Sequence, residues 1–276
     1  LTDITFIGTG GGRFATIYQI RGTGGVYIED GVRLHIDPGP GSLVYLKRAR
    51  IDPAKTDCLM ISHCHPDHYA DGEVLIEGMT RGGFKRRGVL VASQSVLEGA
   101  SGFGPAISSY HRSLVERTIK AGAGMAFPVG DVEVKVTPTT HGDPTGVGFS
   151  IHTSDGEISY VGDSQLTPEL IRSHRDARML LLNVTRPLGG RVAFHMCTED
   201  AAEMAEKIRP EMVVITHMGM KLLHDGPKEQ ADYIESHSGV RCIAAEDLMK
   251  VRMGKRIRVI GRRWEDRAAA NACSRE

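Results

Sequence analysis

The sequence predicts an α/β protein built as an αββα sandwich, two mixed β-sheets packed face to face with helices covering the outer surfaces. Three observations lead there. Short apolar runs of strand length recur along most of the chain, helical patterns fall between them, and the two do not alternate as a regular βα repeat would. With 276 residues there is material for one large domain with two sheet-based halves, and residues 1–276 are read as that single domain.

The strand-like runs of the first half are residues 4–7, 15–20, 26–28, 33–36, 59–61 and 89–91. A second series follows at 132–136, 147–152, 158–161, 179–182, 213–216 and 240–244. Helices are expected at 42–49, 71–77, 168–173, 198–208 and 228–237. The helix at 198–208 is the best marked: Thr198 can cap it, Glu199 and Asp200 favour its positive end, and Ala202, Ala205 and Ile208 form an inward stripe before Pro210 stops it. Residues 99–124 read as an insertion, because Gly99, Gly102, Gly104, Pro105, Gly122 and Gly124 surround a short helical piece at 110–120. Such a mobile excursion suits a lid, an arm for a homodimer, or an inert surface loop. Near the end, Lys250, Arg252, Lys255, Arg256, Arg258, Arg262 and Arg263 alternate with Val251, Met253, Ile257 and Val259, the pattern of a charged edge strand.

Composition narrows the class. Lys and Arg number 34 against 34 Asp and Glu, so no global field points to nucleic acid or a membrane surface. No apolar stretch approaches the roughly 18 residues that span a bilayer, and the N-terminal residues lack the pattern of a signal peptide, so a cytoplasmic protein is expected. The cysteines, Cys58, Cys64, Cys197, Cys242 and Cys273, are odd in number and form no C-x-x-C pair, which argues against a disulfide framework and a cysteine-built zinc site.

The most informative run is His63-Cys64-His65-Pro66-Asp67-His68. It packs three imidazoles and a carboxylate into six positions where an apolar strand breaks at a proline. His63 and His65 can project together from extended backbone, which turns Cys64 to the other side. Asp67 and His68 follow the turn. Two imidazoles and a further carboxylate–imidazole pair exceed what a lone catalytic zinc takes from a protein, so two adjacent metals fit better than one. Four more residues sit where a strand gives way to turn residues: Asp37 before Pro38-Gly39, His141 before Gly142-Asp143-Pro144, Asp163 after Gly162, and His217 after Val213-Val214-Ile215-Thr216. Arg81, Lys85, Arg86 and Arg87 form a basic loop after the motif that would either meet a phosphate-bearing substrate or present a solvated face.

The order Asp37, His63-x-His65-x-Asp67-His68, His141, Asp163, His217 resembles the motif set of the metallo-β-lactamase superfamily over nearly the whole chain up to about residue 220. The resemblance implies an αββα sandwich with the site at one edge. It further implies His63, His65 and His141 on one metal, Asp67, His68 and His217 on a second, Asp163 bridging, and Asp37 orienting the ligands. Zinc is the default for so many imidazoles, with manganese and iron as the alternatives that Asp67 and Asp163 admit. The implied chemistry is hydrolysis by a metal-bound hydroxide, which Asp67 would hold in line for attack.

Residues 6–12, Phe-Ile-Gly-Thr-Gly-Gly-Gly, and the run Phe194-His195-Met196-Cys197-Thr198 are similar to the ribonuclease Z-like and phosphodiesterase branch, in which a histidine in that position assists the leaving group. His195 would then be the general acid. The expected substrate is a small cyclic or nucleotide-like phosphodiester or a short RNA. Transfer-RNA processing is not expected, because there is no room between His141 and Asp163 for the arm that ribonuclease Z uses. Two other readings are a thioester or lactone hydrolase on the same site, and a non-catalytic metal-binding or interaction protein on the same scaffold.

Overall fold

The computed structural model describes residues 1–261; Arg262, Arg263 and Cys273 lie outside the described residues. The chain opens with β1 (Thr2–Phe6), β2 (Val26–Asp30), β3 (Val32–Ile36), β4 (Cys58–Ile61), β5 (Val89–Ser93) and β6 (Arg117–Ala121). It continues with β7 (Ala126–Val129), β8 (Val132–Pro138), β9 (Val147–Thr153), β10 (Gly156–Tyr160), β11 (Met179–Arg186), the short β12 (Met196–Cys197), β13 (Met212–Thr216) and β14 (Cys242–Ala244). Then β15 (Lys250–Met253) and β16 (Arg258–Gly261) return to the first sheet.

The first sheet has the order β16-β15-β1-β2-β3-β4-β5-β6 and the second β14-β13-β11-β10-β9-β8-β7, with β12 paired to β11. Each sheet is mixed. In the first, β3 to β6 run parallel and the strands from β16 to β3 pair antiparallel; in the second, β14, β13, β11 and β10 are parallel and β10 to β7 antiparallel.

Alternation along the strands makes three apolar layers. Inward residues of both sheets, among them Ile4, Phe6, Met60, Phe149, Leu181 and Val214, form the central core. Leu59, Ile61 and Leu90, on the opposite face of the first sheet, pack with Leu46, Leu75 and Ile76 from the helices Ser42–Ala49 and Gly72–Met79. Leu180, Leu182 and Val213 do the same for the second sheet, against Ala201 and Met204 of Thr198–Ile208 and Ile234 of Pro227–Ser238. These three layers are the αββα sandwich the sequence predicts.

Several local expectations differ. Residues 15–20 are not a strand: Gly12–Tyr18 is a helix with only Ala15 buried. β1 is already paired on both sides, by β15 and β2, so that apolar run has no sheet edge to join. In the 99–124 segment, the helix ends at Leu114 and Arg117–Ala121 pairs in parallel with β5. Val115 and Ala121 are buried there, so the second half of the presumed excursion is part of the sheet. The basic C-terminal run makes two strands, and only β16 lies at the edge. Among the described residues no helix is long and apolar enough to cross a membrane.

Candidate metal centre

Parallel strands in a mixed sheet direct their C-terminal ends to one rim, and side chains leaving those ends converge there. β3 delivers Asp37, β4 delivers His63 to His68, β10 delivers Asp163 and β13 delivers His217. His141 comes from the loop after β8, and His195 from the loop before β12. Three non-glycine residues at this rim hold left-handed backbone, Asp37 (φ 54°), Phe194 (φ 66°) and His217 (φ 53°). Strain of that kind persists where surrounding structure over-determines it.

The predicted residues all meet. Four groups have ligand atoms within 4.8 Å of one another: His63, His65 and His141; Asp67, His68 and His217; His63, His68 and Asp163; and His141, Asp163 and His195. Asp163 connects the others, with Oδ2 3.7 Å from His68 Nε2 and 4.0 Å from His141 Nε2, and Oδ1 3.4 Å from His217 Nδ1. His195 Nδ1 lies 3.7 Å from Asp163 Oδ2.

Hydrogen bonds behind the imidazoles fix which nitrogen faces inward. His141 Nδ1 lies 2.9 Å from the Phe194 carbonyl, which can only accept, so the ring proton sits on Nδ1 and the Nε2 lone pair is free. The Ser62 hydroxyl donates to Asp37 Oδ2 (2.7 Å) and therefore accepts from His63 Nδ1 (3.0 Å), which frees His63 Nε2. His63 Nε2 and His141 Nε2 approach His65 Nδ1 at 2.8 and 3.1 Å. His68 Nδ1 lies 2.8 Å from Asp37 Oδ2, while its buried Nε2 has no hydrogen-bond partner and faces Asp67 and Asp163.

The electrostatics suit a cation. Burial, then neighbouring imidazoles, push the pKa of His63 well below the usual value, and burial followed by His141 lowers that of His65, so both hold the neutral ligating form. Burial would also depress His68, but Asp37, Asp67 and Asp163 together outweigh it and raise its pKa well above normal. Burial alone would raise the carboxyls of Asp67 and Asp163; the surrounding histidines hold both down. Clustered carboxylates that favour a proton on His68 would equally favour a metal ion in its place. The orphaned Nε2, the freed lone pairs and the ionised carboxylates therefore fit divalent metal binding.

Residues outside the candidate ligand set complete the support. Tyr160 donates its hydroxyl to Asp37 Oδ2 (2.7 Å), Asn183 donates to Asp163 Oδ1 (2.7 Å), and Gly12 N–H donates to Asp67 Oδ2 (2.8 Å). Asp143 accepts from Cys64 N–H at 2.9 Å and from the Ser95 hydroxyl, tying down the loop. Gly12 closes the glycine-rich run 6–12, and Asn183 carries a signature of another kind, a lone amide inside the apolar run Met179-Leu180-Leu181-Leu182 to Val184. At Gly11 a Cβ would lie 2.2 Å from the His217 ring, which is why the glycine-rich turn stands there.

Cys64 points away, buried in the helix-side core. The basic loop does not belong to the site. Arg87 bonds Asp57 (2.6 Å) and the carbonyls of Ala54, Thr56 and Met79, at the end of β4 opposite the histidines, and Arg86 bonds the Val115 carbonyl. Phe103, from the glycine-rich segment, sets its ring edge-on to His65, with centroids 5.3 Å apart.

Comparison with known proteins bears on the family of the chain. The chain is 40% identical over 254 residues to the uncharacterized protein MJ1374 of Methanocaldococcus jannaschii, covering 91% of this chain and 95% of that one. It is 26% identical over 234 residues (78% of this chain, 90% of the other) to the UPF0173 metal-dependent hydrolase of Pelotomaculum thermopropionicum. Among solved structures, a diphosphatase from the PhnP family superposes with a TM-score of 0.67 at 20% identity, covering 90% of this chain and 96% of that one, a likeness of fold. The beta-lactamase superfamily domain model matches residues 32–218, which contain Asp37, the histidine motif, His141, Asp163, His195 and His217, and the chain belongs to that superfamily.

Proposed function

We propose that the protein hydrolyses a phosphodiester with two divalent metal ions, zinc by default with manganese and iron as alternatives. Its coarse class is metal-dependent hydrolase of its superfamily. Within that class, His63, His65 and His141 would hold one ion, Asp67, His68 and His217 the other, and Asp163 would stand between them. Bound there, the ions supply Lewis acidity at the phosphoryl oxygens and lower the pKa of a water.

The observation that carries the phosphodiester assignment is His195. It lies outside both ligand trios and lines a cleft of about 460 Å³ together with His65, Asp67 and Asp163. Its ring is 28% exposed, so a substrate can reach it, while its buried Nδ1 has no hydrogen-bond partner beside Asp163. Burial lowers its pKa and Asp163 opposes that shift. A proton arriving on His195 is thus stabilised by a carboxylate and can be passed to a departing alkoxide, a need that phosphodiesters have and thioesters do not. Asp67, held by Gly12 N–H and 3.2 Å from His217 Nε2, is fixed to orient the attacking water. That a structural neighbour is a diphosphatase supports chemistry at phosphorus.

The test compares leaving groups with zinc- or manganese-loaded protein. A dinucleotide, whose leaving alkoxide needs a proton, should lose about 10²- to 10⁴-fold in kcat on His195→Ala, whereas bis(4-nitrophenyl) phosphate, with its stable leaving phenolate, should lose far less. No turnover of either, or equal losses on both, refutes the assignment.

A further inference from the structure

The catalytic cleft does not end at the metal ligands. Gly12 and Arg13 line both that cleft and a second cavity of about 610 Å³ on the far side of the Gly11–Gly12 turn. The second cavity carries three formal cations, Arg13, Arg186 and Lys221, against one carboxylate, Asp225. Asp225 is engaged, with Oδ1 3.2 Å from His224 Nδ1. Among the described residues, the Arg13 guanidinium and the Lys221 ammonium enter no ion pair or side-chain hydrogen bond, and Arg186 uses its Nε on the Gly190 carbonyl, in no ion pair. Three cations against one carboxylate leave the cavity with an excess of positive charge, and a hollow lined mainly by one sign of charge focuses its field on an incoming anion.

We propose that this cavity, which shares Gly12 and Arg13 with the cleft, binds a second phosphate of the substrate, apart from the bond that is cut. The proposal rests on the phosphodiesterase reading and narrows it to linear, terminally phosphorylated substrates. Guanidinium groups match phosphate oxygens in paired hydrogen bonds, and Lys221 adds a point charge. Phe14 lines the same cavity and is largely exposed, which offers a base or sugar an apolar face. A compact cyclic phosphodiester carries no second phosphate and would leave these cations without an anionic partner.

The experiment measures kcat/KM of the metal-loaded protein for the dithymidine dinucleotide without a terminal phosphate and with one at the 5′ or the 3′ end. One phosphorylated form should be preferred by roughly tenfold or more, the scale of a charge-assisted hydrogen bond. In the Arg13→Gln/Lys221→Gln double variant that ratio should fall towards one, and in Lys221→Arg it should persist. Because each ratio is taken within one protein, a general loss of activity cancels. A phosphate preference that survives the double substitution, or none in the unaltered protein, overturns the proposal. If no phosphodiester is cleaved, the parent reading fails, and calorimetric titration with thymidine 3′,5′-bisphosphate judges the cavity by itself. Binding that weakens at least tenfold in the double variant supports it; equal or absent binding overturns it.

Discussion

Replacing Asp37 by Asn tests whether this buried carboxylate tunes one half of the proposed two-metal centre. Asp37 Oδ1 accepts from Ser62 N–H (2.7 Å), and Oδ2 accepts from the Ser62 hydroxyl (2.7 Å) and the Tyr160 hydroxyl (2.7 Å) and lies 2.8 Å from His68 Nδ1. Asn has the same shape but one acceptor oxygen and one NH₂. With the amide turned towards Ser62 N–H, two donors confront each other; turned the other way, it faces His68 and two hydroxyls. At least one buried charge-assisted hydrogen bond is lost in either orientation, which costs about 1.5–3 kcal/mol of folding stability. The effect on metal is separable. Without the carboxylate behind Nδ1, His68 Nε2 is a poorer ligand, so affinity at the Asp67, His68 and His217 group should fall about 10- to 100-fold, or about 1.4–2.8 kcal/mol. The His63, His65 and His141 group touches Asp37 only through the Ser62 hydroxyl and should weaken less. Competition of chelator-stripped protein with a chromophoric zinc indicator reads the two affinities. Two unchanged affinities in a folded variant, or equal loss at both, would refute the reasoning.

Further outcomes follow from single residues. Gly11→Ala places a methyl group against the His217 ring, and since Gly11 has extended backbone (φ −161°) the effect is steric; we expect zinc affinity to fall with a stability loss of about 1–3 kcal/mol by thermal melting. His174 is fully buried, neither ring nitrogen has a hydrogen-bond partner, and burial lowers its pKa to about 3. The unfolded chain protonates this group near pH 6.5, so its stabilising preference for the neutral form is complete above that pH and is lost as pH falls towards 3. Between pH 7 and pH 5 the loss is about 2 kcal/mol, and it should vanish in His174→Leu when urea unfolding is compared at the two pH values. Asn183→Leu removes the donor to Asp163 Oδ1 and should lower activity and metal content together, as followed by elemental analysis.

Much of the candidate site was legible because residues able to ligate a metal are chemically conspicuous. Six residues from His63 to His68, and single polar groups where Asp37, His141, Asp163 and His217 end apolar runs, stand out against any background of ordinary strands. The layered fold was legible for a related reason, since strands buried on both faces read as continuous apolar runs. The strand read at 15–20 and the helix read through 120 failed where local pattern was ambiguous and sheet occupancy decided: β1 had no free edge, and β5 did.

The sequence by itself determined the composition of the centre, its position at strand ends and the αββα class, because periodicity and donor chemistry are local properties of the chain. Only the tertiary structure decided the rest: that Tyr160 and Asn183 brace Asp37 and Asp163, that the basic loop is spent on Asp57 at the wrong end of β4, and that a cationic cavity adjoins the cleft. These depend on contacts between residues far apart in sequence, such as the 123 positions between Asp37 and Tyr160, and no local pattern encodes which distant strand end will face which.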